Sequence, residues 1–200
     1  MIHRRWSVRS LLCALGILNW HALRAQTVDS VVVPISNEGV VRATSIVDAV
    51  FVERRMPTGA VGGADWAAYL MARLGVRPIP FMPYVAVGVD TTAIRMTSRI
   101  GDLPPQTRTE LGPMVGFLDP ATPISASILL QPAGPEAVRF HLDGVSINGF
   151  PVPEPFLQPY LAGIGRSYPM LTASGRDLLV QIPPNARVEL GADSIHLSLP

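Results

Sequence analysis

Four stretches of the chain alternate apolar and polar residues with a strict period of two. "YVAVGV" puts Val85, Val87 and Val89 on one side. "AIRMTSRI" sets Ile94, Met96, Ser98 and Ile100 against Arg95, Thr97 and Arg99. "AVRFHLD" sets Val138, Phe140 and Leu142 against Arg139, His141 and Asp143. "DSIHLSL" sets Ile195, Leu197 and Leu199 against Ser194, His196 and Ser198. A strand with one dry face and one wet face carries this pattern, and such strands pair antiparallel. "PISASILLQ", "RDLLVQIP" and "ARVEL" are shorter strand candidates, and residues 40–55, "VVRATSIVDAVFVERR", read as one long strand or a bent pair. A chain built this way must cover the dry face of its sheet with something else.

Short helices are the predicted cover. In "GADWAAYLMARLG", residues 63–75, Trp66, Leu70 and Leu74 recur every four residues, flanked by Ala67 and Met71, and Gly75 is a good stop. Over 102–120, Leu111, Met114, Val115 and Leu118 follow i, i+3, i+4, i+7, interrupted by Gly112 and Pro113. In "PEPFLQPYLAGIG", Phe156, Leu157, Tyr160, Leu161 and Ile164 form one helical face. Pro155 suits a first helical turn, whereas Pro159 either kinks the helix or starts it. Proline makes up 20 of 200 residues, about twice the usual share. Helices so punctuated depend on tertiary packing. The expected fold class is α+β: a strongly curved antiparallel sheet wrapped around short amphipathic helices.

The N-terminus reads separately. "MIHRRWSVRS" holds Arg4, Arg5 and Arg9 and no acid; an apolar run, "LLCALGILNW", follows, and Ala25 suits the last position before a cut. This is the pattern of a signal peptide over 1–25, leaving 26–200 as one exported domain, periplasmic or extracellular. An ordinary N-terminal helix or an uncleaved anchor is the alternative, although a bilayer span takes about 20 apolar residues. Cys13, the only cysteine, lies in the leader, so 26–200 can form neither a disulfide nor a thiolate metal site. Four of the sixteen arginines also belong to the leader, leaving twelve basic residues against fifteen acids. That balance excludes the concentrated basic footprint of a nucleic-acid binder. The chain has no lysine, which rules out lysine chemistry.

Catalytic motifs are missing. His141 and His196 sit on the polar sides of alternating strands and read as surface histidines. Ser146 lies in "GVSING", but Asn148 stands where a nucleophile elbow has its second glycine. No phosphate-binding glycine loop is present. The expectation is a non-enzyme with no catalytic residue, no metal and no cofactor.

From Ala137 to Pro200 the chain runs strand, glycine-proline turn, helix opening at "PEP", then "LLVQIPP". Through Gly149, Pro151, Pro153, Phe156, Leu157, Leu161, Leu178, Val180, Ile182, Pro183 and Pro184 this segment resembles bacterial exported proteins of the tubular lipid-binding (BPI-like) superfamily. The resemblance implies a curved sheet around a helix, with a groove between them that holds acyl chains. Its length suffices for a single module. The ligand-binding candidates are Trp66, Leu70, Leu74, Met114, Val115, Leu118, Phe156, Leu157, Tyr160, Leu161 and Ile164. The same residues also have a plain reading as core. A buried sixteen-carbon chain gains on the order of 12 kcal/mol gross, so such a groove needs no polar machinery. The expected function is a carrier or chaperone binding a lipid or other hydrophobic molecule without covalent chemistry, with peripheral contact to a membrane. The alternative is a structural or interaction module of the cell envelope with a filled core. A hydrolase would need a Ser–His–acid cluster.

Overall fold

The structure, a computed structural model, describes residues 33–103, 105, 108, 116–168 and 170–200; the expected leader and most of the helix expected over 102–120 lie outside them. In chain order the elements are α1 (Asn37–Val47), continued by one π-helical turn (Asp48–Val52), β1 (Thr58–Gly62), α2 (Gly63–Arg73), β2 (Ala86–Val89) and β3 (Ile94–Arg99). Then follow β4 (Pro123–Pro132), β5 (Ala137–Ile147), β6 (Phe150–Pro151), α3 (Glu154–Ser167), β7 (Asp177–Gln181), β8 (Arg187–Leu190) and β9 (Ser194–Ser198). The fold class is α+β, and every strand pair is antiparallel.

The strands divide between two sheets. One runs β1-β9-β8; the other runs β2-β3-β4-β5, and the outer edge of β5 is shared by β7 and β6. The larger sheet is not closed into a barrel. All four alternating stretches form strands, while β1, too rich in glycine to show a pattern, had no sequence signal. Residues 40–55 are not strand. Ser36 caps a helix there, its Oγ accepting from Gly39 N at 3.3 Å, and Gly39, Ala43, Val47 and Val50 are buried at helical spacing. The density of β-branched residues favours strand locally, but packing against α2 overrides that preference. Gly39 permits the close approach: a Cβ there would lie 2.9 Å from Asp65 Oδ1. Arg42 then clamps Asp65 through two bonds of 2.8 and 2.6 Å.

On β5 the apolar residues change parity. Val138, Phe140 and Leu142 are even-numbered; Val145 and Ile147 are odd-numbered. A bulge reconciles them. Ser127 faces Gly144 and Ile128 faces Leu142, which leaves Asp143 as the inserted residue. Directly opposed residues share a face, so Ile124, Ala126, Ile128 and Leu130 of β4 meet Ile147, Val145, Leu142 and Phe140 on one apolar side. The core gathers on that side. Phe140, Leu178, Val89 and Ile94 of the larger sheet join Ile195 and Leu197 of the smaller one, with Ala43, Val47 and Trp66 of the helices between them.

The hairpin that brings β3 beneath α2 turns at Asp90. Asp90 Oδ1 accepts from Thr92 N at 2.7 Å, from Ala93 N at 3.0 Å and from the Thr92 hydroxyl. The Thr92 hydroxyl first, then these two backbone N–H groups, hold the Asp90 carboxyl down at about 2. A depressed folded-state pKa stabilises the fold above the unfolded value, about 3.9, and that contribution is lost as pH falls towards 2. Asp90→Asn should therefore flatten the acid limb of the stability curve between about pH 4 and 2. Urea midpoints measured across that range check it, and an unchanged slope refutes it.

α3 is fastened to the loop that follows it by two glycines. Gly175, at φ +72°, passes so close to the Leu161 carbonyl that an added Cβ would overlap it, and a Cβ on Gly165 would lie 2.5 Å from Thr172 O. Gly175→Ala carries both the left-handed backbone penalty and this overlap. It should cost about 1–3 kcal/mol or more. Gly134→Ala, at φ +117° with open space around it, should cost only the backbone share. Urea midpoints of the two variants separate overlap from backbone strain.

Candidate functional site

α2 and α3 lie over the same apolar face of the larger sheet without closing on each other. Between them is a cavity of about 290 Å³. α2 supplies one wall through Gly63, Trp66, Ala67, Leu70, Met71 and Leu74, which is the run i, i+3, i+4, i+7, i+8, i+11 of a single helical stripe. The floor is sheet: Ile94 and Met96 of β3, Ile128 of β4, Phe140 and Leu142 of β5, and Leu178 of β7. Leu161 and Ile164 of α3, with Leu171, Gly175 and Arg176 after it, form the opposite wall. The small side chain of Ala67 leaves room that a larger one would fill, whereas Gly63 lets α2 approach β2, since a Cβ there would lie 2.8 Å from the Val89 side chain.

Five of the sequence candidates meet here: Trp66, Leu70, Leu74, Leu161 and Ile164. The others do not line the cavity. Leu157 is buried on α3, Tyr160 is half-buried, and Phe156 is 60% exposed at the start of the helix. Leu118 is 37% exposed. Met114 and Val115 lie outside the described residues. The buried stripe of α3 is thus Leu157, Leu161 and Gly165, rotated away from Phe156. The floor residues escaped selection because each reads only as the dry face of its strand. Their gathering depends on strand order: Phe140 stands opposite Leu130 on one side and Leu178 on the other, and Ile94 stands opposite Ile128.

Two donors stand by the described lining, one sealed behind it and one at its edge. Trp66 is 2% exposed, and its ring lies 5.9 Å from that of Phe140 and 5.3 Å from that of Tyr69. Its Nε1–H is fully buried and has no hydrogen-bond partner among the described residues. A donor left in that state costs about 1–3 kcal/mol. Arg176 is the other. One guanidinium nitrogen donates to Leu142 O at 3.1 Å and another to the Glu154 carboxylate, tying the loop before β7 both to β5 and to the first turn of α3. The Arg176 side chain is 19% exposed and that of Glu154 57%, so this pair stands where the cavity meets solvent.

The residues weighed for hydrolysis are arranged differently. Ser146 Oγ pairs across the strands with Ser125 Oγ at 2.8 Å. His141 lies five residues back along β5, about 15 Å at strand rise, and His196 belongs to β9 in the other sheet. His141 does have an acid that sequence spacing hides: the β5–β7 register sets it opposite Asp177, Nδ1 to Oδ1 at 2.7 Å. Asp177 also meets Arg139 at 4.0 Å and Thr172 Oγ1 at 3.5 Å, so its carboxylate serves the edge of the sheet. Among the described residues no group of three or more His, Cys, Asp or Glu gathers as a metal site, and no helix is long and apolar enough to cross a membrane. Comparison with family models, with curated proteins and with solved structures gives no match.

Proposed function

We propose that the protein binds a single-chain hydrophobic ligand in the cavity between α2, α3 and the larger sheet, as a carrier or chaperone that performs no covalent chemistry. The cavity itself supports this reading. It is lined by side chains of four strands and two helices that are otherwise well packed, and among the described residues Arg176 is the one charged residue in the lining. Its 290 Å³ falls at the small end of ligand sites, about 300–1,000 Å³. A methylene displaces about as much volume as a water, about 30 Å³, so on the order of ten carbons fit. That favours one chain over a two-chain lipid. Burying ten methylenes yields on the order of 8 kcal/mol gross, enough for useful affinity after ordering costs.

Export to the cell envelope, kinship with the tubular lipid-binding proteins and peripheral membrane contact complete the proposal. Phe150 is 73% exposed and Phe156 60%, and both flank the segment leading into α3. Side chains of this kind would meet a bilayer surface when ligand is exchanged. The rival reading, an envelope interaction module with a filled core, has to explain why the space beside Trp66 stays open.

Ala67→Phe tests the proposal. Ala67 lines the cavity from the α2 side, so a phenyl group there takes the ligand's place. Overpacking should cost no more than about 1–3 kcal/mol. Wild-type protein should retain a bound amphiphile in native mass spectrometry and take up a ten-carbon alkyl probe. Ala67→Phe should lose at least tenfold in uptake, while Phe156→Ser, outside the cavity, should keep it. Wild type that neither carries nor takes up such a chain refutes the proposal.

A further inference from the structure

We infer that the ligand is an anionic single-chain amphiphile of the monocarboxylate type, its oxygen head held by Arg176. This rests on the cavity being a ligand site and adds what its polar atoms recognise. Among the described residues Arg176 is the one lining side chain that offers the cavity a strong hydrogen-bonding group, and its guanidinium can only donate; the Trp66 indole N–H is sealed behind the lining. Among the described residues no lining side chain offers an acceptor oxygen or a negative charge. An ammonium head would meet the Arg176 charge and find only Glu154, already held by that arginine. A carboxylate is matched by the guanidinium.

The placement of Arg176 fits such a head. One guanidinium nitrogen is anchored at the carbonyl of Leu142, at the end of the floor where the cavity meets solvent. The charged donor therefore marks the mouth, and the rest of the described lining is apolar.

Arg176 already has a counter-ion in Glu154, and this pair supplies the exchange step. Glu154 is the more exposed partner and sits on the first turn of α3, so its carboxylate can return to water when a ligand carboxylate takes its place on the guanidinium. Arg176 keeps its bond to Leu142 O in either state. The swap conserves charge at the mouth: one carboxylate leaves the arginine as another arrives. The lipid head thus competes with a group of the protein's own, which sets the affinity below what a free arginine would give.

Calorimetric titration of the full chain with decanoate, 1-decanol and decylamine, each below its aggregation concentration, tests this. Wild type should bind decanoate at least tenfold more tightly than decanol, and decylamine least of all. Arg176→Gln should weaken decanoate about tenfold and leave decanol unchanged. Because Arg176 also bridges β5 and α3, Glu154→Gln is the second variant: it releases the arginine without removing it and should tighten decanoate. Trp66→Phe keeps the ring and, the indole N–H being sealed from the cavity, should leave decanoate binding unchanged. Decanoate and decanol binding alike, with Glu154→Gln without effect on either, would overturn the inference while leaving a hydrophobic ligand site intact. Failure of all three probes, in wild type and Ala67→Phe alike, would instead remove the site itself.

Discussion

The apolar face of β5 is the constraint from which the rest of the structure follows. β5 is the one strand with three partners: β4 along its whole length on one edge, β7 and β6 in succession on the other. Its face would break in the middle without the bulge at Asp143, because the apolar residues switch from even to odd positions there. Inserting one residue restores a continuous dry surface at the cost of a local interruption in the ladder. Phe140 at the centre of that surface touches Trp66 of α2 and stands beside Leu178 of β7. Both helices and both outer strands thus register against the same few side chains.

The cavity is a consequence of how two helices share one face. α2 reaches the sheet through a regular stripe and packs α1 on its other side, through the Gly39 contact and the Arg42–Asp65 clamp. α3 is held elsewhere, by backbone contact between Gly165, Gly175 and the loop after the helix. Each helix has its own anchorage, so nothing draws one onto the other. The gap between them keeps the character of the surfaces around it, an apolar floor and walls with one charged donor, Arg176, at the edge of the described lining. A filled core would need a larger residue at Ala67, and the chain does not put one there.

Much of this was legible before folding was considered. Strict alternation located β2, β3, β5 and β9 because a half-buried strand imposes a period that few other structures share. The α2 stripe was equally plain, and all three of its named residues line the cavity. α1 was misread because Val, Ile and Thr cluster in 40–55, and their local preference for strand competes with a helical spacing of buried positions that only the partner helix makes meaningful. Phe156 was read into the α3 stripe because a helical face about 100° wide admits neighbours at its edge; the docking of Gly165 and Gly175 turned that edge to water. The His141–Asp177 pair was invisible because its members are 36 residues apart and meet only through the β5–β7 register.

Amino-acid order alone determined which faces of most strands are oily, where β2, β3, β5 and β9 run, and that proline-interrupted helices must lean on a sheet to exist. It also determined the residue types at hand: a single cysteine, Cys13, and no lysine. Tertiary structure decided that the strands divide between two sheets, that α2 and α3 stand over one face with a cavity between them, and that Arg176 comes to its mouth. The physical reason is the range of the information. Periodicity reports the environment of a residue relative to its near neighbours, whereas a cavity is a volume left between elements distant in sequence. Its existence depends on where backbones stop approaching, and here that limit was set by glycines and by a single inserted residue.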